Sequence, residues 1–314
     1  MDDSMCEIVT LGYASIDHFL RVSTYPSKGQ KVPFRQYSVM GGGQAATAAV
    51  CLSRWGVRTR FVGRVGDDST GDLSISWLAN EGVICDAVIK AESETTQTAY
   101  IVVPDNCGER TVFWHRGPSL NLKASDLKKS WFDDALVLLI DGHELDAACL
   151  AARWVKENNG IVVLDAEHIG KGRRDILELT DIAVGSEDFG AREFGTTSHR
   201  ETLSILRHHG VALAGVTLGK NGALVDWGEG IKHFRSIDVE VVDTTGAGDI
   251  FHAGLAYAAY KKMDPKTMIS FSTVCAGLSV TKLGGRSAIP SLERVFTRMN
   301  VEGDLETCRG DQFK

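Results

Sequence analysis

The chain has 314 residues, 43% of them hydrophobic and 24% charged, which is enough for one large α/β domain or for two small ones. Its formal net charge of −7 and its pI near 5.7 argue against nucleic acid as the main partner, since no basic stripe offsets the acidic balance. An anionic ligand must therefore be held locally, by a few cations or by backbone N–H groups.

The pattern of the first residues of the chain predicts β-strands. "CEIVTLGYASID" predicts a buried strand that ends at a glycine, with Ser15 and Asp17 just past its tip. The polar stretch near residues 18–38 alternates and contains two prolines, so we expect exposed strands there rather than core.

A glycine cluster at Gly41–Thr47 opens a predicted helix, which Gly56 closes. A second helix is predicted over Ser69–Asn80, and alternating strands follow. We expect the exposed strands near 18–38 and 97–115 to form a small β-sheet lid on one large domain.

Strands and helices alternate regularly in the second half of the chain, which ends in two long predicted helices over 247–261 and 265–282. This alternation predicts right-handed βαβ crossovers and an α/β fold with a central, mainly parallel sheet covered by helices on both faces. Ligands of such sheets bind at the carboxyl ends of the strands, where the glycine clusters fall. Neither an internal repeat nor an interdomain linker interrupts the pattern, so we expect a single domain over residues 1–314.

The seven cysteines and the amino terminus predict a cytoplasmic protein. The cysteines occur singly, without a C-x-x-C pair, which is typical of reduced thiols rather than of disulfides or a zinc site. The acidic start "MDDSMCEIVTLG" lacks the basic and apolar regions of a signal peptide. Nowhere do 18 apolar residues follow one another, so we expect no membrane partner.

Two glycine-rich stretches carry weak signals. The cluster at Gly41–Thr47 lacks the G-x-G-x-x-G spacing of a dinucleotide loop, so a dinucleotide-dependent oxidoreductase is a minor alternative. "TLGKNG", Thr217–Gly222, lacks the Walker order, and most turns of this kind simply connect the strands of a hairpin.

The stretch "VVDTTGAGDIFHAG" carries the most specific signal. It follows a predicted strand, "DVEVV", and begins a helix, a context in which backbone N–H groups converge on an anion. The small residues Gly246–Gly248 let a phosphate approach the backbone. Asp249 is either a favourable first-turn acid of the helix or a base that accepts a proton from a hydroxyl as it attacks phosphorus.

Together these stretches resemble the PfkB/ribokinase family of sugar kinases. "GGGQAATAAVCLSRWGVRTRFVGRVGDDSTG" resembles its amino-terminal signature, and "VVDTTGAGDIFHAG", about 200 residues later, its carboxyl-terminal one. "LGYASID", "VTLGKNGALV" and "GLSVTKLGGRSAIP" match in the same order. The resemblance implies a ribokinase-like fold and ATP-dependent phosphorylation of a sugar hydroxyl.

For phosphoryl transfer, the resemblance implies that Asp249 deprotonates the sugar hydroxyl. It implies an anion hole for the γ-phosphate made by the N–H groups of Gly246, Ala247, Gly248 and Asp249. Asp243 and the carbonyl of Thr245 match positions that hold a monovalent cation in ribokinases. Ala288 stands where a ribokinase has serine, so a requirement for K⁺ is left open.

On the nucleotide side, Thr217, Gly219 and Gly222 match the nucleotide-binding turn of the family, and Thr273–Gly277 match the helix beside adenine. Read alone, Thr217 is more simply an ordinary residue at a strand end.

The segment "VGSEDFGAREFG" departs from the family, because Ser186 and Phe189 replace an asparagine and a glutamate, the latter usually linked to Mg²⁺ through water. Glu187 or Asp188 could take over that role, or both could be solvated acids at a helix start. Mg²⁺ is expected in either case, since the polyphosphate must be neutralised and oriented.

On the sugar side, Asp17, Gly42 and Gly43 match the family. Asp17 is the kind of acceptor that can hold two sugar hydroxyls, although a turn cap is the plainer interpretation. Ser15 and Thr47 stand where asparagine is usual, which makes ribose itself a poorer candidate.

The motifs "GGGQAATAAV", "VVDTTGAGDIFHAG" and "GGRSAIP" look most like those of sulfofructose kinase. "GERTVFWH" and "SEDFGAREFG" also resemble ketohexokinase. Lys31 matches a lysine that contacts the anionic end of a sulfosugar, but Trp114 and His143 stand where asparagine and arginine are expected for a sulfonate. Arg116 could supply the missing cation, or both Arg116 and Lys31 could be solvated rim residues.

The leading hypothesis is therefore a kinase of a ketose or ketose derivative. The alternatives are an anionic-sugar kinase, a nucleoside kinase and a sugar-binding regulator without catalysis. Lids of this family often pair, so a homodimer through the lid is a further hypothesis, beside a monomeric flap.

Overall fold

Two β-sheets form the frame of the chain, as seen in a computed structural model that describes residues 6–105, 110–167, 169–170 and 174–307. The first part contributes the strands β1 (Ile8–Leu11), β2 (Ser15–Val22), β3 (Gln36–Gly42), β4 (Thr59–Gly66), β5 (Val88–Ala91), β6 (Thr98–Pro104) and β7 (Thr111–His115). Its helices are α1 (Gln44–Arg54) and α2 (Ser69–Asn80).

The second part continues the alternation of strands and helices. Its strands are β8 (Val137–Ile140), β9 (Ile161–Asp165), β10 (Ile182–Ser186), β11 (Leu213–Thr217), β12 (Ala223–Asp226), β13 (Lys232–Phe234) and β14 (Glu306–Thr307). Its helices are α3 (Leu145–Glu157), α4 (Asp175–Glu178), α5 (Phe189–Phe194), α6 (His199–His208), α7 (Ala247–Tyr260), α8 (Pro265–Ser279) and α9 (Leu292–Glu302).

The large sheet has the order β14-β13-β12-β11-β10-β9-β8-β1-β4-β5. Its strands pair in parallel from β11 to β5, and β12, β13 and β14 add an antiparallel edge. The predicted mainly parallel sheet is confirmed.

Helices pack on both faces of this sheet, because its strands are apolar on both sides. On β8, Val137 and Leu139 face the core formed with α7 and α8, while Leu138 and Ile140 face the core formed with α3 and α6. This alternation confirms the expected three-layer arrangement. None of the helices in the described ranges has the length and apolarity needed to cross a membrane.

The small sheet has the order β3-β2-β6-β7, with β2 and β6 parallel and the outer pairs antiparallel. Its strands overlap the two regions predicted for the lid, but β2 begins at Ser15 and β3 continues to Gly42, outside 18–38, and residues 23–35 form no strand. Ser15 and Asp17, expected just past a strand tip, lie instead inside β2.

One predicted strand is wrong. Residues 238–242, "DVEVV", form no strand, and the side chains of Val241 and Val242 are exposed. The N–H groups of Val242 and Asp243 donate to the carbonyl of Val280 just after α8. The strand that precedes α7 in the chain is β13, Lys232–Phe234, which begins six residues before the predicted stretch.

The expectation of free thiols is met by the five cysteines in the described ranges, of which four are buried and Cys85 is partly buried. Cys107 and Cys308 lie outside the described residues.

Candidate active site

A cavity of about 520 Å³ lies at the carboxyl ends of the parallel strands, and we call it the sheet cavity. Residues that follow five of these strands, or end them, line it: Tyr13, His143, Glu167, Ser186 and Thr217. The small sheet covers it with the alternate residues of its inner face, Asp17, Ala99, Ile101, Val112 and Trp114. The predicted position of the ligand site in this type of sheet is thus where the structure has a cavity.

A second cavity, of about 470 Å³, lies between the β11–β12 turn and helices α7 and α8, and we call it the helix cavity. Its walls are mostly apolar, with Ile237, Val239 and Phe251 among them. From α8, Thr273 and Gly277 face it, and a Cβ atom on Gly277 would overlap the side chain of Ile237. Such a slot accommodates a flat, largely apolar group.

The hydroxyl of Thr273 has no hydrogen-bond partner within the described part of the chain, although the residue is only 6% exposed. Thr273 therefore stands beside the helix cavity with the hydrogen-bonding capacity of its hydroxyl unused.

The two cavities meet where Thr217, Thr244 and Gly248 line both of them. Helix α7 begins here, at Ala247, after Gly246 in the left-handed conformation with φ of 76°. A Cβ atom on Gly246 would lie 2.6 Å from the Cα of Gly285, so only glycine fits. In the first turn, the N–H of Ala247 donates to the carbonyl of Thr244 at 3.3 Å, whereas the N–H groups of Gly248 and Asp249 have no acceptor within the described residues and are available to an anion at this junction.

Asp249 lies in this first turn and lines the sheet cavity, next to the junction. Burial raises the pKa of its carboxyl to about 7, and the charge of Asp165 raises it further, while His252 and Arg286 act in the opposite direction. A carboxylate with such a pKa is suited to accept a proton near neutral pH.

Asp17 faces the same cavity from β2 and accepts a hydrogen bond of 2.8 Å from the hydroxyl of Ser15. Burial raises the pKa of Asp17, and the hydrogen bond from Ser15 and the charge of Arg286 oppose that rise. A Cβ atom on Gly42 would overlap the Asp17 carboxylate, which explains the glycine opposite it.

Arg286 lies close to the carboxylates of Asp17 and Asp249 and anchors the chain beside them. It donates to the carbonyl of Gly42 at 2.8 Å and to the hydroxyl of Thr47 at 3.3 Å. Burial lowers the pKa of Arg286 to about 10, and Asp17 and Asp249 oppose that change. The sequence analysis did not single out Arg286, although it stands within the quoted motif "LGGRSAIP".

Asp243 joins two loops of the site. Its carboxylate accepts hydrogen bonds from the N–H and hydroxyl of Thr245, at 2.9 and 2.7 Å, and from the N–H of Gly284, at 2.7 Å. The loop before α7 and the loop after α8 are therefore held together by one buried side chain.

The turn at Thr217–Gly222 is shaped by glycine. Gly219 and Gly222 both have positive φ, and a Cβ atom on Gly222 would overlap the Phe234 carbonyl. Both glycines line the helix cavity with Lys220. Thr217 is more than the ordinary strand-end residue of the plainer interpretation, since it borders both cavities.

Arg116 lines the sheet cavity but is not a solvated rim residue, because its side chain is largely buried and pairs with Glu144. It also donates to Gln97 at 2.8 Å and lies over the ring of Tyr13. Burial raises the pKa of Glu144 to about 7, against the opposing charge of Arg116. The positive charge expected for an anionic substrate is thus already paired within the chain.

His143 lines the sheet cavity, where its Nε2 lies 3.0 Å from the side-chain oxygen of Gln44. Gly43 also lines it, with φ of 91°, in front of the first turn of α1.

Two residues expected at the site line neither cavity, and a third lines the other cavity than expected. Lys31 is exposed in the β2–β3 connection and lines neither cavity. Glu187 is likewise exposed, and within the described ranges no cluster of His, Cys, Asp and Glu could hold a metal ion. Ser186 lines the sheet cavity rather than the helix cavity and accepts a hydrogen bond from Arg192.

Sequence reasoning also missed Asp165, His252 and Arg110, which all line the sheet cavity. The signal for His252 was present, because it follows Asp249 by three residues and shares its helix face. Arg110 reaches across from the small sheet and donates to the hydroxyl of Thr244 at 3.0 Å.

Known proteins resemble this chain over almost its full length. A family model described as "pfkB family carbohydrate kinase" matches residues 5–292. A ribokinase of Haemophilus influenzae is 26% identical over 298 residues, covering 92% of this chain and 97% of that protein. A fructokinase of Escherichia coli is 29% identical over 272 residues, covering 79% and 88%. The structure of an Arabidopsis thaliana ribokinase complexed with ribose and ATP has a TM-score of 0.81 and 25% identity, covering 93% of this chain and 98% of that one.

Proposed function

The chain belongs to the pfkB family and is an ATP-dependent carbohydrate kinase with the ribokinase-like fold, and we propose that it phosphorylates a hydroxyl of a ketose or ketose derivative. The observation that carries the proposal is the position of Asp249, in the first turn of α7, beside the junction of the two cavities. The sugar would lie in the sheet cavity and the nucleotide in the helix cavity.

Asp249 acts as the base in this proposal. Its carboxylate accepts the proton of the sugar hydroxyl as the hydroxyl oxygen forms a bond to the γ-phosphorus of ATP, and the bond from that phosphorus to the bridging oxygen breaks to release ADP. The N–H groups of Gly246–Asp249 would stabilise the charge on the transferring group. The open space around Gly248 leaves room for that group, since a Cβ atom there would meet nothing within 4 Å.

ATP fits the helix cavity. Its adenine matches the apolar slot between Ile237 and α8, where the hydroxyl of Thr273 lacks a partner, and its phosphates would reach the junction at Thr244 and Gly248. Mg²⁺ would be bound by phosphate oxygens and water rather than by Glu187, which is exposed away from both cavities.

A monovalent cation is a separate part of the proposal. The Asp243 carboxylate and the carbonyl of Thr245 lie beside the loop that contains Gly285, which is where K⁺ would bind. Comparing turnover in KCl with turnover in tetramethylammonium chloride tests this directly. Equal rates in the two salts argue against a cation at Asp243.

Charge at the sheet cavity favours a neutral sugar over an anionic one. Four carboxylates line it, those of Asp17, Asp165, Glu167 and Asp249. Arg116 is neutralised by Glu144, Lys31 lies outside, and Arg110 extends to Thr244 at the junction, beside the proposed position of the phosphate rather than of the sugar. Acceptor groups of this kind bind hydroxyl hydrogens well and repel a sulfonate or phosphate. The similarity to a fructokinase agrees with a ketose.

A coupled assay of ADP release tests the substrate class, with fructose, ribose, sulfofructose, phosphosugars and nucleosides at equal concentrations. We expect the highest kcat/KM with a neutral ketose. A preference for sulfofructose or a phosphosugar overturns the charge argument, and a preference for nucleosides overturns the sugar assignment. Absence of turnover with every acceptor favours a sugar-binding regulator.

We also propose a homodimer through the outer face of the small sheet. Tyr100 and Phe113 lie opposite each other on this face and are 50% and 54% exposed, with Tyr37 nearby. A self-complementary pairing would cover this aromatic surface. Light scattering should show a dimer that Phe113→Asp dissociates, while Val301→Asp on α9, 76% exposed, leaves it intact. A monomeric wild type contradicts the proposal.

We also propose that the protein acts in the cytoplasm, because ATP is its phosphate donor and its cysteines within the described residues are free thiols.

A further inference from the structure

A buried histidine lies directly behind the proposed base. His252 is on α7, three residues after Asp249, and only 4% exposed. Its Nδ1 lies 2.8 Å from the carbonyl oxygen of Gly248, and its Nε2 lies 2.9 Å from the carbonyl oxygen of Val184. The carboxylate of Asp165 is 3.3 Å from Nδ1. Both ring nitrogens therefore face hydrogen-bond acceptors.

The protonation state follows from these neighbours. A backbone carbonyl can only accept a hydrogen bond, and a neutral imidazole has one N–H group and one nitrogen lone pair. A neutral ring would thus direct its lone pair at a carbonyl oxygen within 3 Å in either tautomer. Only the imidazolium donates from both nitrogens, and the carboxylate of Asp165 can balance its charge.

We propose that His252 is an imidazolium, held by Gly248, Val184 and Asp165, and that this buried charge keeps Asp249 ionised and ready to accept the substrate proton. His252 is a positioning residue in this arrangement, because it acts on the reaction through Asp249 and through the peptide unit of Gly248. The inference rests on the proposed role of Asp249 as the base.

Solvent has no room on the side of Asp249 that faces His252, although the other side of Asp249 lines the sheet cavity. The gap beneath Asp249 is lined by Gln44, Asp141, Asp165 and His252 and is too small for a water molecule. The amide of Gln44 contributes one further hydrogen bond to Asp165, at 3.3 Å. A carboxylate buried against two other carboxylates needs a nearby cation to stay charged at neutral pH.

Charged groups on several elements contribute to the electrostatic potential at Asp249 and His252. The titratable groups that face these two residues from outside α7 are Tyr13 after β1, Asp17 on β2, Asp141 after β8, Asp165 and Glu167 at the end of β9, and Arg286 in the loop before α9. Arg286 and His252 are the two cations that oppose the rise in the pKa of Asp249. Burial lowers the pKa of His252, and its two carbonyl contacts and the charges of Asp249 and Glu167 act against that change.

His252 also contacts the phosphate side of the site. The Gly248 carbonyl that accepts from its Nδ1 belongs to the same peptide unit as the N–H of Asp249, which is part of the proposed anion hole. A charge-assisted hydrogen bond on the carbonyl polarises that N–H and strengthens its interaction with an anion. One side chain is therefore coupled to both the base and the anion hole.

The first experiment measures protonation without measuring activity. In protein labelled with ¹⁵N-histidine, the ring signals of His252 are assigned by their loss in His252→Gln. We expect two protonated ring nitrogens at pH 7.5, which is above the ordinary histidine pKa of about 6.5. A neutral His252 ring at this pH overturns the inference, whatever Asp249 does in catalysis.

The second experiment measures the pH profile of kcat/KM. In His252→Gln, loss of the cation should shift the acidic limb of the kcat/KM profile to higher pH by about one unit. In Asp165→Asn, loss of the anion should shift the same limb to lower pH. A purely structural role changes rates without opposite shifts, and such a result also overturns the inference. His208→Gln serves as the control with an unchanged profile. If Asp249→Asn retains full turnover, the proposed role of Asp249 fails. The NMR measurement of His252 does not depend on turnover, so the two failures can be told apart.

Discussion

The two halves of the site are built in different ways. The floor of the proposed phosphoryl-transfer site comes from one continuous stretch, Asp243–His252, in which a glycine turn, a helix start and a carboxylate follow one another. The proposed sugar-side wall combines residues from β2, β7, α1 and the loop after β8, which are far apart in the chain. The residues proposed for the reaction are thus neighbours in sequence, whereas those proposed to select the substrate are brought together only by the tertiary fold.

The largest expected effect concerns the floor. Asp249→Asn removes the proton acceptor while keeping shape and hydrogen bonding, so kcat should fall by roughly 10²–10⁴-fold, the usual contribution of a general base. ATP affinity, measured by calorimetry, should change little, because the helix cavity is lined by other residues. Unchanged turnover with intact nucleotide binding contradicts the role of Asp249.

This contrast also explains what the sequence could predict. The helix start before Asp249 could be predicted because a glycine turn comes directly before an alanine-rich run, whereas the roles of Asp249 and of the anion hole were inferred from the family resemblance. The layered parallel sheet followed from the alternation of strands and helices. By contrast, the failure at "DVEVV" shows that β-branched residues alone do not make a strand, since Val241 and Val242 have no place in the sheet.

The wall could not be predicted in the same way. Lys31 was expected at the sugar and lines neither cavity, while Arg286 lies near Asp17 through its contact with Gly42, 244 residues away in the chain. Arg116 was assigned by residue type, but its pairing depends on Glu144, which only folding brings beside it. Long-range contacts of this kind leave no spacing pattern in a single sequence.

A second prediction compares two carboxyls whose pKa values are both raised to about 7, Asp249 in the floor and Glu144 in the wall. Glu144 is paired with Arg116, so Glu144→Gln leaves a buried charge unpaired and should cost about 3 kcal/mol of unfolding free energy at pH 8. Asp249 is crowded by other carboxylates, so Asp249→Asn should be stabilising at pH 8, by roughly 2 kcal/mol.

The sign for Asp249 follows from proton linkage. Its ordinary pKa is 3.8 and its folded value about 7, so the folded state binds the extra proton between these pH values. The wild type therefore loses stability as pH rises from about 4 to about 7, and the advantage of Asp249→Asn grows over this range and then levels off. Chemical denaturation at pH 5 and pH 8 measures both variants. Destabilisation by Asp249→Asn at pH 8 contradicts the assignment of a raised pKa.

A third prediction separates the two cavities. Asp17→Ala removes a charged acceptor from the sheet cavity and should raise KM for the sugar by roughly 10–100-fold, with KM for ATP nearly unchanged. Thr273→Val, which changes only the helix cavity, should alter KM for ATP by a few-fold and leave the sugar KM as it is. Steady-state kinetics with each substrate varied in turn measures both. If either variant shifts both constants equally, the two cavities do not have separate ligands.

The last prediction concerns the contact that joins the two regions. Arg110 extends from the small sheet to the hydroxyl of Thr244, which borders both cavities, so its guanidinium lies beside the position proposed for the transferring phosphate. Because the other residues around the sheet cavity are rich in carboxylates, loss of this cation in Arg110→Ala should lower kcat by about 10-fold. Arg21→Ala is the matched control, since Arg21 belongs to the same sheet but pairs with Asp105 outside the cavities. An equal loss in both variants would mean that the small sheet affects turnover through its stability. A loss confined to Arg110→Ala would mean that the small sheet contributes a positive charge to the phosphate side of the site, beside the stretch Asp243–His252.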